Sequence, residues 1–417
     1  MRPLKTHYAE IRDGGWTAVK RKIHTVYKLA LVLAPWTFFT VLAVRCLKPW
    51  GVVRFGPLNG RHIGHFVADA GQQFAMKSKD HDKKMLDFYW MIQPVCNEFW
   101  EKMVRRNFPV CSWVRSLDSL NRMLPGGKAH HRPASATVDS RDIDGLFEHF
   151  DSGMPFLPVE DEEAKSWLRA QGWRDGEPFA CLLVRDNAYY MNTEHLRPEQ
   201  SFHDYRDTCI SNYVPAAEWL ADQGVWVLRM GKIMAEPIPS EHPKIIDYAF
   251  HPERSDFLDI WLFARCNLCI STGTGSDAVS SVYRRPLLFL NFIPMTHLVS
   301  WCNALHAGKK LLWKKNGVFL KWKEYLENGY NDGISDYENA GIRIVDLTPE
   351  EILTIVQEMW LRMHKKWAES EEDRKYQEQF WSILKRHPVF QRLHGWIHPE
   401  ARVASTWLRL MGERFLE

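Results

Sequence analysis

Residues 266–290 read CNLCISTGTGSDAVSSVYRRPLLFL, and their order decides the fold. Leu268–Ile270 is a short apolar strand, the Gly/Ser/Thr run from Ser271 turns the chain, a helix leaves it, and Leu287–Leu290 is the next strand. A strand, a tight turn, a helix and a second strand form the repeating unit of a parallel sheet. The turn puts backbone N–H groups at a helix N-terminus, where the dipole stabilises an anion such as a diphosphate. Ser271, Thr272, Thr274 and Ser276 add hydroxyls, and Gly273 and Gly275 free the backbone. The run lacks the Gly-Lys-Ser/Thr of a Walker A loop and the G-x-G-x-x-G of a dinucleotide fingerprint. Two readings stand: an anion cradle, or a plain tight turn.

The same alternation extends both ways. Upstream come a strand at Phe179–Val184, a helix at Tyr213–Gln223 with Ser211 and Asn212 as cap candidates, strands at Val225–Leu228 and Lys244–Tyr248, and a helix at Phe257–Ala264. Downstream are a strand at Ile342–Val345, a helix at Pro349–His364, and a helical-looking end. Near the start, Val52–Phe55 reads as a strand, followed by a helix through Val67, Ala70, Phe74 and Met76. Asp87–Ile92 and Phe108–Trp113 read as strands, with helices over 97–106 and 114–123; 125–140 is a Gly, Pro, Ser and His-rich loop. The expected architecture is α/β, with two Rossmann-like domains over 51–170 and 171–365. An apolar, basic-flanked segment over 1–50 precedes them and a helical tail over 366–417 follows.

Composition narrows the function. The 417 residues carry 54 Lys plus Arg against 51 Asp plus Glu, a net charge of +3. That balance argues against a nucleic-acid binder, which carries a strong basic excess. Apolar residues at 45% and charged residues at 25% describe a packed globule rather than a disordered chain. The 19 Trp suit sugar faces or membrane interfaces as well as a core. Eight scattered Cys do not form a disulfide framework and point to a reducing compartment. Cys266 and Cys269 lack the second ligand pair a zinc site needs, and read as small buried residues around a strand.

Residues 29–44, LALVLAPWTFFTVLAV, are uncharged, with Lys20, Arg21, Lys22 and Lys28 before them and Arg45 and Lys48 after. A spanning helix needs about 20 apolar residues, and this run is shorter and contains Pro35. Attachment within one leaflet, a true span and an ordinary buried helix are the three alternatives. In the first two cases the catalytic body faces the cytoplasm if the positive flanks stay inside, and the first implies peripheral contact at the inner face of the membrane.

Four other stretches carry chemistry. Val184-Arg185-Asp186 and Arg229-Met230-Gly231-Lys232 each follow a strand, where ligands of open α/β sheets bind. Arg185, Arg229 and Lys232 can clamp phosphate there, with Asp186 orienting and Gly231 allowing close approach; surface cations after strands are the plainer reading. HDYRDT at 203–208 is a capping loop, or places Tyr205 and Arg206 over a nucleotide or sugar. In RHIGH at 61–65, Gly64 permits close approach at a helix start, and His65 is a candidate general base facing a cleft. Asp69 lies one turn on and can hold one His65 tautomer; a structural hydrogen bond at His65 is the alternative. Asp142-Ile143-Asp144 has a metal-motif form but reads as a helix start, so no metal and no cofactor are expected.

Taken together, RHIGH, Val184-Arg185-Asp186, HDYRDT, VLRMGK at 227–232 and Asp259 through Gly275 resemble a bacterial GT-B-like glycosyltransferase family associated with surface polysaccharide assembly. The resemblance covers roughly 52–365. It implies a C-terminal half that binds a nucleotide-sugar donor and an N-terminal half that presents a glycan or lipid-linked acceptor. The phosphates would meet Arg185, Arg229, Lys232 and the turn at 271–276 without a metal, and His65 would deprotonate the acceptor. A nucleotide-sugar epimerase of the same fold and a non-catalytic Rossmann pair in an assembly complex are the rivals.

Overall fold

A computed structural model describes residues 34–79, 84–135, 137–193, 204–328 and 334–417. The basic residues at 20–28, the first residues of the apolar run (29–33) and His203 lie outside the described residues. The chain is α/β and divides into two compact units, discontinuous in sequence. One gathers Met1–Arg61, Asp80–Val95 and Val104–Ala134; the other gathers His62–Lys79, Cys96–Met103 and Ser135–Glu417. These are not the linear segments 51–170 and 171–365: the helix Ile63–Lys79, expected in the first domain, belongs to the second unit.

The first unit is built on a parallel pair, β1 (Val52–Asn59) and β2 (Met85–Ile92). Parallel bridges at Phe55–His131 and Tyr89–Val110 widen it. The strand expected over Phe108–Trp113 shrinks to that single bridge. Pro109 offers the ladder only its carbonyl, and by Cys111 the chain is already turning into the helix Val114–Met123. Val41, Phe55, Trp90, Val114, Leu117 and Leu120 form the core. Val41 comes from the helix Pro35–Cys46, which Pro35 opens at its first turn rather than interrupting.

The second unit carries a seven-stranded sheet. Its strands are β3 (Phe179–Leu183), β4 (Trp226–Arg229), β5 (Ile245–Ile246), β6 (Leu268–Ser271), β7 (Leu287–Phe292) and β8 (Ala304–Gly308), closed by a C-terminal edge strand. A separate antiparallel pair joins β9 (Lys310–Trp313) to β10 (Ile342–Val345). The edge strand β11 (Arg402–Val403) pairs with β8. The order β11-β8-β7-β6-β3-β4-β5 is parallel throughout. β3, β6, β7 and β8 are buried along their whole length, as strands covered on both faces must be. From β3 the chain winds outward through β4 and β5, then returns to lay β6, β7 and β8 on the other side. This is the doubly wound order, and its switch point lies between β3 and β6.

The C-terminal tail is not an appendage. It supplies β11, and Trp407 Nε1 donates to Gly308 O at 2.9 Å. Buried Arg141 donates to Leu393 O, His297 O and Leu298 O, tying the 388–393 helix to loops beyond the sheet. β8 went unread in the sequence because Ala, His and Gly give no strand signal.

Candidate active site

The chain leaves β3 at Val184–Arg185 and β6 at Thr272–Gly273, beside the switch point, and the two exits are joined. Thr272 N donates to Leu183 O at 3.2 Å, and Arg185 N donates to Thr272 Oγ1 at 3.0 Å. The Arg185 guanidinium turns to Asp207 at 2.8 Å, and Arg206 donates to Gly273 O. Tyr205 is buried, its ring 5.5 Å from that of Tyr337. The 204–207 stretch therefore lies over the turn, held by its own Arg206 and by Arg185 from the end of β3.

The turn is half-filled by the chain itself. Ser271 Oγ donates to Asp277 Oδ2 at 2.7 Å and accepts from Gly273 N at 3.0 Å; Thr274 N donates to the same carboxyl oxygen at 2.8 Å. An internal carboxyl thus takes the place expected for a ligand anion on the inner side, which corrects the cradle reading of Ser271, Thr272 and Gly273. Burial raises the Asp277 carboxyl to about 6, against the Ser271 hydroxyl and the Thr274 N–H. The outer side differs: Gly275 is exposed, and Thr274 and Ser276 are half-buried.

A second element reaches this turn. A Cβ added at Gly64 would lie 2.9 Å from Gly275 Cα, and one added at Gly275 would lie 2.9 Å from Gly64 N. Only two glycines allow the start of the 17-residue helix Ile63–Lys79 to seat its backbone on the turn. His65 and the Gly-rich turn therefore share one compact unit, rather than facing each other from two halves as expected. His65 is half-buried. Burial and His62, whose ring centre lies 6.1 Å away, lower its pKa, and Asp139 opposes them. A neutral imidazole is the form that accepts a proton.

Asp69 does not bond His65. The partner of His65 Nδ1 is Ser140 Oγ, at 2.7 Å. Asp69 is buried, and its Oδ1 has no hydrogen-bond partner among the described residues. Burial pushes its carboxyl up to about 7, while the Ser140 and Ser135 hydroxyls pull it back down. His297 O accepts from Arg141 at 3.0 Å, and burial and Arg141 lower its imidazole to about 4, with Asp139 opposing them. Ser140, Asp277 and His297 were not singled out from sequence, although a carboxylate at the first position of a helix after Gly-Ser is a legible cap signal.

Of the cations expected to clamp phosphate at the end of β4, Lys232 is ion-paired within the chain, while Arg229 keeps Nε and Nη1 without a hydrogen-bond partner among the described residues. Arg229 is 1% exposed, donates to Glu236 O at 3.1 Å and stands over the Phe250 ring at 5.6 Å. Lys232 is held by Cys96 O at 2.8 Å and Asp256 at 2.9 Å. Asp186 accepts from Ala188 N and Ala235 N, and a Cβ at Gly231 would strike Met234. These groups shape the loop beyond β4. Asp142 accepts from Leu146 N and Phe147 N, both at 2.8 Å, as a helix-start residue does. Among the described residues no cluster of His, Cys, Asp or Glu is placed to hold a metal ion.

No family model matches the chain, and no curated protein does. Among solved structures, it is similar to the glycosyl transferase family 9 protein from Veillonella parvula. That match has 9% identity and a TM-score of 0.45, over 75% of this chain and 98% of the other. It is similar to the E. coli ADP-heptose LPS heptosyltransferase II at 10% identity and a TM-score of 0.30, over 58% and 87% of the two chains. It is also similar to the E. coli heptosyltransferase WaaC with ADP, at 10% identity and a TM-score of 0.31, over 61% and 91%.

Asp69 has a measurable signature. A carboxyl raised from 3.8 to about 7 keeps its proton in the folded chain where the unfolded chain has lost it. Its stabilising contribution is complete below the ordinary carboxyl pKa and is lost as pH rises through 7. Asp69→Asn is free of that loss. Its unfolding free energy relative to wild type should improve by about 2–4 kcal/mol between about pH 4 and pH 8, since each tenfold change in proton affinity is worth ~1.4 kcal/mol. Urea denaturation at both pH values measures this; parallel pH profiles would show that Asp69 carries no buried proton.

Proposed function

We propose that the protein transfers a sugar from a nucleotide-diphosphate donor to a glycan or lipid-linked acceptor, as a GT-B-type, metal-independent glycosyltransferase in surface polysaccharide assembly. One observation carries the reading: the Gly64–Gly275 contact, which sets His65 beside the outer edge of the Gly-rich turn at the switch point. The donor diphosphate takes the open side of the turn, at Thr274, Gly275 and Ser276, with Arg206 nearby. The acceptor oxygen attacks the anomeric carbon, and the bond from that carbon to the diphosphate oxygen breaks with its electron pair. The acceptor proton passes to His65 Nε2. N–H groups and the arginine stabilise charge that builds on the leaving diphosphate.

Two carboxyls with raised pKa, the buried Asp69 and the half-buried Asp277, also suit an epimerase, which needs acid/base groups. Product analysis on a nucleotide sugar without acceptor separates the two reactions, since only the epimerase alters the sugar and keeps it on the nucleotide.

On the same reading the enzyme works at an anionic bilayer. Trp36, Phe38, Phe39, Leu42, Leu47 and Trp50 are exposed on or just after the helix Pro35–Cys46, while Thr37 and Val41 face inward. At ~1.5 Å per residue this 12-residue helix is about 18 Å long, short of the ~30 Å hydrocarbon core. Among the described residues no helix is long and apolar enough to cross a membrane. The exposed aromatic face suits in-plane insertion, with the exposed Lys48 meeting headgroups.

Calorimetry with ADP, GDP, UDP and dTDP should show one diphosphate binding, and Arg206→Ala should weaken it about tenfold, the scale of a lost charge-assisted hydrogen bond. His65→Ala should leave that affinity nearly unchanged and lower turnover about 10²-fold or more. A His65→Ala variant within about threefold of wild type has lost under 1 kcal/mol and would return His65 to a structural role.

The membrane contact is tested with phosphatidylglycerol vesicles and the folded triple variant Phe38→Ser, Phe39→Ser, Leu42→Ser. All three side chains are exposed, so the core is spared. Co-sedimentation should fall about tenfold or more. Equal sedimentation of variant and wild type would remove the contact.

A further inference from the structure

The sequence puts Asp69 one helical turn from His65, but the structure gives His65 Nδ1 the Ser140 hydroxyl as its partner, at 2.7 Å, and the same hydroxyl lowers the Asp69 carboxyl against its burial. We propose that Ser140 is the positioning residue of His65: its O–H donates to the Asp69 carboxylate, and its oxygen accepts the His65 Nδ1–H. The Nε2 lone pair is left bare to take a proton. The inference rests on the glycosyl-transfer reading only for what that lone pair does.

Proton counting sets the direction. Ser140 has one hydroxyl proton, and an ionised carboxylate offers none. With Asp69 ionised, the Ser140 proton goes to the carboxylate. The 2.7 Å contact between Ser140 Oγ and His65 Nδ1 must then be donated by the imidazole. That selects the Nδ1–H tautomer, the one that frees Nε2.

Ser140 is held firmly enough for this task. Gln72 Nε2, from the same helix as His65 and Asp69, donates to Ser140 O at 2.9 Å. The next residue, Arg141, is locked by the carbonyls of Leu393, His297 and Leu298. Asp139 and Ser140 both adopt positive φ, at 53° and 57°. Two successive non-glycine residues in that region are strained and persist only where the surroundings impose them. Here the imposed conformation aims the hydroxyl at His65 Nδ1.

The array has a second state. When Asp69 is protonated, its O–H donates to Ser140, the Ser140 proton turns to Nδ1, and the imidazole carries its proton on Nε2, where it cannot act as a base. The groups facing His65 are His62, Asp139 and Ser140, and those facing Asp69 are Ser135 and Ser140. Because burial lifts Asp69 to about 7, the switch between states falls near neutrality. The acid limb of activity then follows Asp69 rather than the imidazole.

Long-range ¹H–¹⁵N correlation on the full chain labelled with ¹⁵N-histidine reads the tautomer directly; the His65 ring is assigned by its loss in His65→Gln. Above about pH 8, with Asp69 ionised, wild-type His65 should be the Nδ1–H tautomer. A free imidazole prefers Nε2–H, so this result is informative. Ser140→Gly removes the hydroxyl and keeps the positive φ without strain, and should return His65 to the Nε2–H preference. The same variant should lower kcat about tenfold or more with KM and nucleoside-diphosphate affinity unchanged. Nε2–H in the wild type, or unchanged Nδ1–H in Ser140→Gly, overturns the proposal. The wild-type spectrum decides alone if the variant does not fold. A correct tautomer in a protein that transfers no sugar would sink the functional reading and leave the hydrogen-bond array standing.

Discussion

At Gly64 and Gly275 two stretches of backbone lie against each other with no room for a methyl group between them. The rest of the candidate site depends on that approach. It anchors the start of the helix Ile63–Lys79 on the turn beyond β6, and so delivers His65, Asp69 and Gln72 to the switch point of the parallel sheet. The turn contributes an outward edge because its inward edge is already occupied by Asp277. The helix contributes an imidazole because the loop at 139–140 meets it from the other side. Glycine, an internal carboxyl and two residues of unusual φ thus divide one small region into a part that is closed and a part that is open.

Charge is handled in the same way throughout the second unit. Arg185 pairs with Asp207, Lys232 with Asp256, and Lys309 with Asp346. Arg141 spends its whole guanidinium on carbonyls, and Arg229 is enclosed. Arg185 and Lys232, which look like phosphate ligands in the sequence, therefore brace loops at the carboxyl ends of the strands. Some carboxyls go the other way: Asp69, Asp142, Asp259 and Asp277 are all pushed up by burial. The loops near the switch point are held by hydrogen-bonded polar groups, which keeps their geometry fixed in a region of reduced dielectric.

Much of the second unit is legible in the sequence because its strands are continuous apolar runs bounded by Gly, Pro and Asp. β3, β6, β7 and β10 fall where the pattern puts them, and Thr348-Pro349 with Glu351 opens its helix with a capping box. β8 is not legible, because Ala, His and Gly form a strand there only through burial between neighbours. The chain's tail is not legible either, since β11 is two residues long and exists only by pairing with β8. At the site, the turn and His65 are visible as motifs, but their contact is not. It joins residues far apart in sequence through the lack of side chains, and two glycines carry no sign of what they touch. Burial encloses Arg229, an ion pair with Asp256 holds the exposed Lys232, and Ser140 matters through a backbone angle that its residue type does not announce.

The most direct test of this account is hydrogen–deuterium exchange on the full chain with and without the nucleoside diphosphate that binds best. If the turn and the helix start form one site, bound diphosphate should slow exchange together in peptides covering 62–66 and 272–278, with little change around Arg229 and Lys232. Protection centred on 229–236, with none at 62–66, would contradict the assembled site and restore the clamp beyond β4 as the place where phosphate binds.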